Sequence, residues 1–153
     1  MKYFFIAVLL LALPSHGQSK PSGLDITRIK ETGLTQPQAE QVLRMVVAKS
    51  PYRHWLNTRY AYIENLDDKT RQTVPGFYMF RLAYDSPKAR ATAYAGPYLI
   101  SQKTADVWDV GLSSDCKNLH FPALAALQTQ VRKKTGTTLD DETDLRKKFD
   151  CFK

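Results

Sequence analysis

Metal, nucleotide and hydrolytic chemistry find little material in this chain. Its 153 residues include two cysteines, three histidines and seven glycines. The histidines form no HExxH pair and join no Cys/His cluster, so zinc-site patterns are absent. The glycines are dispersed, and no run of them is spaced to cradle a phosphate. The serines of "GLSSDC" (111–116) are near an acid but lack the Gly-x-Ser-x-Gly elbow. Asp106 and Asp109 lie on opposite faces of an expected strand, which argues against an acid/base pair. Asp140, Asp141, Glu142 and Asp144 lack the glycine and spacing of a calcium loop. Neither His54 nor His120 is paired with a nucleophile by any local pattern. The residues therefore read as a non-enzyme with no catalytic residue, no metal and no cofactor. A long apolar run is missing too. "YFFIAVLLLAL" (3–13) has eleven residues, well short of the roughly 20 that a membrane-spanning helix needs.

What that run does resemble in form is a secretory leader. Met1-Lys2 gives a positive start, Pro14 ends the apolar stretch, and Ser15-His16-Gly17 supplies small residues before a cut at Gly17/Gln18. Residues 1–17 are thus expected to be a signal peptide, and no cysteine follows for a lipid anchor. Cleavage removes Lys2, and the net charge falls from +7 to +6. The expected location is the periplasm, with no stable membrane anchor after cleavage; an extracellular location fits the same pattern. A moderately basic exported protein favours acidic partners. Its cations are scattered among acids, which makes nucleic acid a poor partner.

In an oxidising compartment Cys116 and Cys151 are expected to form a disulfide. Closing that loop stabilises a fold by about 3 to 4 kcal/mol. His120, four residues from Cys116, leaves a catalytic thiol as the competing reading. The placement of Cys151 beside the terminus favours the bridge.

The remaining chain divides into a polar leader (18–34) and one domain (35–153). Thr35 and Gln38 form a capping box with Pro37 in the first turn. Ala39, Val42, Leu43, Val46 and Val47 follow at helical spacing. The period then changes to two. "RYAYIENL" (59–66) alternates, "DDKTRQT" (67–73) interrupts, and "FYMFRLAY" (77–84) places Tyr78, Phe80, Leu82 and Tyr84 on one face. After "DSPKAR" (85–90), "ATAYAGPYLIS" (91–101) carries Gly96-Pro97, so this strand either bends there or restarts at Tyr98. "ADVWDV" (105–110) returns after the polar turn Gln102-Lys103-Thr104. Trp108 between two aspartates suggests a partly exposed strand, and the turn before it an exposed one, available for docking. Pro122, Leu124, Leu127 and Val131 mark a second helix ending at Gly136, and 139–150 a short third. The fold class is α+β: an N-terminal helix, an antiparallel meander of three to four strands, and C-terminal helices packed on one face.

"YLISQKTADVW" (98–108), within one helix and a meander behind a signal peptide, is similar to the strand-turn-strand of cystatin-like and PepSY-like domains. The chain also resembles small exported immunity proteins of Gram-negative bacteria, over residues 35–110. That resemblance implies a protein partner, a secreted toxin or envelope-degrading enzyme, neutralised by a rigid sheet that presents a loop and aromatic-Arg anchors. Tyr, Trp and Arg are the common anchors of interfaces, and the expected partner-binding set is Arg53, His54, Trp55, Arg71, Lys88, Arg90 and Trp108. Two other functions stay open. A ligand-binding or envelope-maintenance module needs an apolar cavity in the curved sheet. A small enzyme needs a cleft that holds His54 or His120 beside a carboxylate.

Overall fold

A computed structural model of the chain describes residues 23–67, 74–111 and 116–138. The expected signal peptide, Arg71, Cys151 and the expected last helix lie outside the described residues. Helix α1 (Gln36–Val47) starts where the capping box places it, with the Thr35 N–H donating to Gln38 Oε1 at 2.8 Å. Its buried residues are Ala39, Val42, Leu43, Val46 and Val47, the five on the apolar stripe. A Glu40–Arg44 pair one turn apart braces the outer face. Ser50 then caps a short 3-10 helix, Pro51–Asn57, by accepting from the Tyr52 N–H at 3.1 Å. The second α-helix, α2 (Pro122–Thr135), buries Leu124, Leu127, Gln128 and Val131. It ends on Gly136 at φ 67°, whose N–H returns to the Arg132 carbonyl.

Between the helices lies one antiparallel sheet of five strands in sequential order: β1 (Ala61–Asn65), β2 (Phe77–Ser86), β3 (Ala91–Ser101), β4 (Val107–Asp109) and β5 (Lys117–Asn118). The α+β class holds, and the meander has one strand more than the three or four expected. β5 is two residues long, too short to leave a periodic signal. Strand β3 neither breaks nor restarts at Gly96-Pro97. Phe80 pairs with Tyr98 and Leu82 with Ala95, so Arg81 faces two residues and β3 bulges. Gly96 sits at φ 100°, and a Cβ there would meet the Tyr98 ring at 2.8 Å, so the bulge requires glycine.

The main core fills the space between helices and sheet, where Phe80, Leu82, Ile100 and Val107 meet Val42, Leu43 and Leu124. Burying side chains of this kind contributes roughly 1.5 to 3 kcal/mol each. Ile29 and Leu34 belong to the same core, so the end of the expected leader packs on the domain. The reverse face of the sheet is divided. Near the β3–β4 turn, Phe77, Leu99 and Trp108 form a second buried cluster with Val74, Met79 and Val110 against it. Toward the β2–β3 turn the same face carries the exposed Tyr62 and Tyr94.

Two expectations fail on the β3–β4 hairpin. Trp108 is 1 % exposed and β4 lies between β3 and β5, so the strand is interior. Its flanking acids find local partners: Asp106 accepts from Thr104 Oγ1 at 2.8 Å, and Asp109 from the Gly111 N–H at 3.1 Å. Local polar satisfaction lets a Trp between aspartates be buried. The turn itself is not an exposed docking loop either. Thr104 is fully buried. The Gln102 carbonyl accepts from the Leu34 N–H at 2.8 Å, Lys103 Nζ donates to the Glu31 carbonyl at 2.8 Å, and Thr135 Oγ1 donates to the Lys103 carbonyl at 2.8 Å.

Candidate protein-binding surface

The expected anchors separate into three places. Arg53 and His54 are exposed on the short 3-10 helix, and Lys88 and Arg90 are exposed in the turn between β2 and β3. Trp55 and Trp108 are buried, at 9 % and 1 % exposure. Arg71 lies outside the described residues. Trp55 is a hub: it stacks on Tyr84 at 5.1 Å, tilts against Tyr52 at 5.0 Å and takes the edge of His54 at 6.2 Å. It docks the 3-10 helix on β2, and His54 Nδ1 lies 3.0 Å from the Pro51 carbonyl oxygen. Trp108 performs the same office on the reverse face, edge-on to Phe77 at 5.4 Å. Neither indole is presented for a partner to grasp.

The sheet brings together other residues of the anchor type. Tyr62, Ala83 and Tyr94 are register neighbours across β1, β2 and β3 on the reverse face. Tyr94 is 51 % exposed and Tyr62 41 %. The Arg81 guanidinium lies 4.0 Å over the Tyr94 ring and pairs with Glu64 on β1. Cation–π contact and ion pair hold the arginine flat, which leaves an aromatic face with a fixed charge beside it. This group escaped the sequence reading. Alternation in "RYAYIENL" and "FYMFRLAY" does place Tyr62, Glu64 and Arg81 away from the core, but the bulge at Gly96-Pro97 hides the register of Tyr94.

Beyond Tyr84, β2 and β3 continue without β1. Every residue from Pro87 to Tyr94 is exposed. A shallow recess lies at the base of this hairpin, lined in part by Tyr60, Asp85, Pro87, Arg90 and Thr92. Arg59 stands beside it, its guanidinium 2.9 Å from the Tyr60 hydroxyl, a contact that raises its pKa further. The interior differs in electrostatics. Burial first, then Asp109 and Tyr52, push the Tyr98 phenol up to about 12. Burial and Asp67 likewise raise Tyr78, whose hydroxyl donates to the Leu34 carbonyl at 3.3 Å. Among the described residues no group of three or more His, Cys, Asp or Glu is placed to hold a metal, and no helix is long and apolar enough to cross a membrane.

Residues 33–143 match the family model described as "T6SS, Immunity protein Tgi2PP". The chain belongs to that family. The matched span runs from the residue before Leu34 through α1, the whole sheet and α2, so it covers the fold rather than a local motif. Among solved structures, the chain is similar to one from "Structure of a type VI secretion system effector-immunity complex from Pseudomonas protegens". The identity is 38 %, the coverage 85 % of this chain and 99 % of that one, and the TM-score 0.70. No curated protein matches. These matches bear on the immunity half of the resemblance read from the sequence. They lend nothing to the cystatin-like and PepSY-like half.

Proposed function

We propose that this chain is the immunity partner of a type VI secretion effector, that it is exported to the periplasm, and that it neutralises the effector there by binding. The observation that carries the reading is the family match over residues 33–143. The solved relative is a chain of a complex whose two kinds are effector and immunity protein, and the family model says which kind this chain resembles. Neutralisation by binding requires no turnover and no cofactor. The packed core supports this reading over a ligand-binding module, because side chains of both helices fill the helix-facing side of the sheet. The effector's target is the cell envelope, in keeping with the leader at residues 1–17. Within the expected anchors, Arg53, His54, Lys88 and Arg90 remain as surface contacts, Arg71 remains from the sequence, and the two tryptophans support them from beneath. A Cys116–Cys151 bridge completes the proposal.

Protection of cells is the direct test. The type VI effector of the same strain is directed to the periplasm of a susceptible strain, with the immunity chain produced either whole or without residues 1–17. Growth rescued only by the whole chain supports both binding and export. Rescue by neither form, with both chains present at the expected size, sinks the immunity reading. Equal rescue by both sinks the periplasmic one. Peptide mapping of the secreted chain with and without reductant reports on the bridge.

A further inference from the structure

We propose that the β2–β3 hairpin, residues 85–94, is the element that enters the effector, and that it occupies a cleft lined by carboxylates. The inference rests on the immunity reading and narrows it to one element and one partner chemistry.

The hairpin does nothing for the core. The last β1 pair is Ala61 with Tyr84, one more bond runs from the Asp85 N–H to the Tyr60 carbonyl at 2.9 Å, and from Ser86 on the two strands continue alone; an isolated two-stranded ribbon is marginally stable in water. Every residue from 87 to 94 is exposed, and the packing against the ribbon is at its base, where Arg81 lies over the Tyr94 ring. It is nonetheless ordered by its own bonds. The Ser86 carbonyl accepts from the Arg90 N–H at 2.9 Å, Ser86 Oγ accepts from the Ala89 N–H at 3.1 Å, and Thr92 Oγ1 donates to Asp85 Oδ1 at 2.7 Å. A ribbon already fixed in shape loses little entropy on docking.

Its side chains suit insertion. Ala89, Ala91, Thr92 and Ala93 keep the ribbon thin, while Lys88 and Arg90 put two cations at its tip. Arg59 stands at the base. The one carboxylate of the hairpin, Asp85, is engaged by Thr92. Positive charge on a projecting element, in a chain of net charge +7, complements an acidic cleft and steers encounter with it. Tyr94 and the recess beside Tyr60 sit where the rim of such a cleft would close, and aromatic anchors belong at that position in an interface.

The test is stopped-flow and equilibrium binding of the mature chain to the type VI effector of the same strain, at low and high salt. The Lys88→Glu/Arg90→Glu pair reverses the tip. The control pair, Lys133→Glu/Lys134→Glu, makes the same change of charge at the opposite end of the sheet, near the α2 terminus that bonds the β3–β4 turn. The expected result is an affinity loss of about 100-fold for the tip pair, mostly in association rate, with a flattened salt dependence. The control is expected within about threefold. Arg90 sits at φ 51°, so Arg90→Gly removes the side chain in a residue that accepts the turn and should reproduce about a tenfold loss. Wild-type binding with an unaffected tip pair, or equal losses in both pairs, overturns this inference and leaves the immunity reading standing. A wild-type chain that does not bind the effector removes both.

Discussion

Two hairpin turns of this sheet, both wholly within the described residues, have opposite fates. The turn at 102–104 is tied to the segment before α1, to the start of β2 and to the end of α2, and its Thr104 is sealed from solvent. The turn at 87–90 bonds to the adjacent Ser86 and stands wholly exposed. Both are short polar connections between apolar strands, and both carry a residue at positive φ, Ala105 and Arg90. Local chemistry does not separate them; what packs around them does. The buried turn belongs to the fold, and the exposed one is available for recognition.

The contrast breaks most severely if the buried side is hollowed. Trp108→Ala empties the second core beneath the β3–β4 hairpin, and unfolding in urea should show a loss of about 3 to 5 kcal/mol. Gly33→Val comes next. A Cβ at Gly33 would sit 2.5 Å from the Gln102 carbonyl oxygen at φ 111°. The strain and the displaced turn together are expected to cost about 2 to 4 kcal/mol. A thermal midpoint indistinguishable from wild type would show that the turn is not anchored there. Thr104→Val removes the hydroxyl that donates to Asp106 Oδ2 at 2.8 Å and accepts from its N–H at 3.2 Å. The buried carboxylate loses a partner, and about 1 to 3 kcal/mol goes with it.

How much of this contrast could be read from the chain follows from the range of the contacts. The capping box of α1, its five-residue stripe and the inward face of β2 are local patterns, and the fold reproduces them. Ser50-Pro51 was a readable start signal for the 3-10 helix that carries Arg53 and His54. The tethering of Gln102 and Lys103 depends on Leu34, Glu31 and Thr135, which are 32 or more positions away for the bonds to Lys103, and no window sees them. Trp108 was misjudged for the same reason, since its cover is Phe77 and Leu99. The hairpin tip was placed correctly as a polar connection. That it leaves the sheet depends on β1 ending opposite Tyr84, a matter of register.

Two smaller effects sharpen the comparison. The Tyr98 phenol, held at about 12 by burial, Asp109 and Tyr52, ionises more readily when unfolded, near the ordinary tyrosine value of about 10. Its folded value is raised, so its contribution is intact below about pH 10 and is lost as pH rises from about 10 to about 12. Midpoints measured across that window should fall more for wild type than for Tyr98→Phe. At the other end, Lys88→Ala should move stability by no more than about 0.5 kcal/mol, as exposed substitutions do. A larger loss would mean that the tip is part of the fold after all.

The bulge opposite Arg81 gives β3 two tenants. Residues from Tyr98 onward answer to the core, where Tyr98, Leu99 and Ile100 are all buried, while those from Ala91 to Tyr94 are exposed and answer to β2 alone. The demands of packing and of surface contact thereby fall on different residues of one strand. A lineage confronted with an altered toxin can rewrite the outer stretch, one residue after another, without renegotiating its stability. In an arms race, a protein so divided keeps its inheritance in one half of a strand and its adaptability in the other.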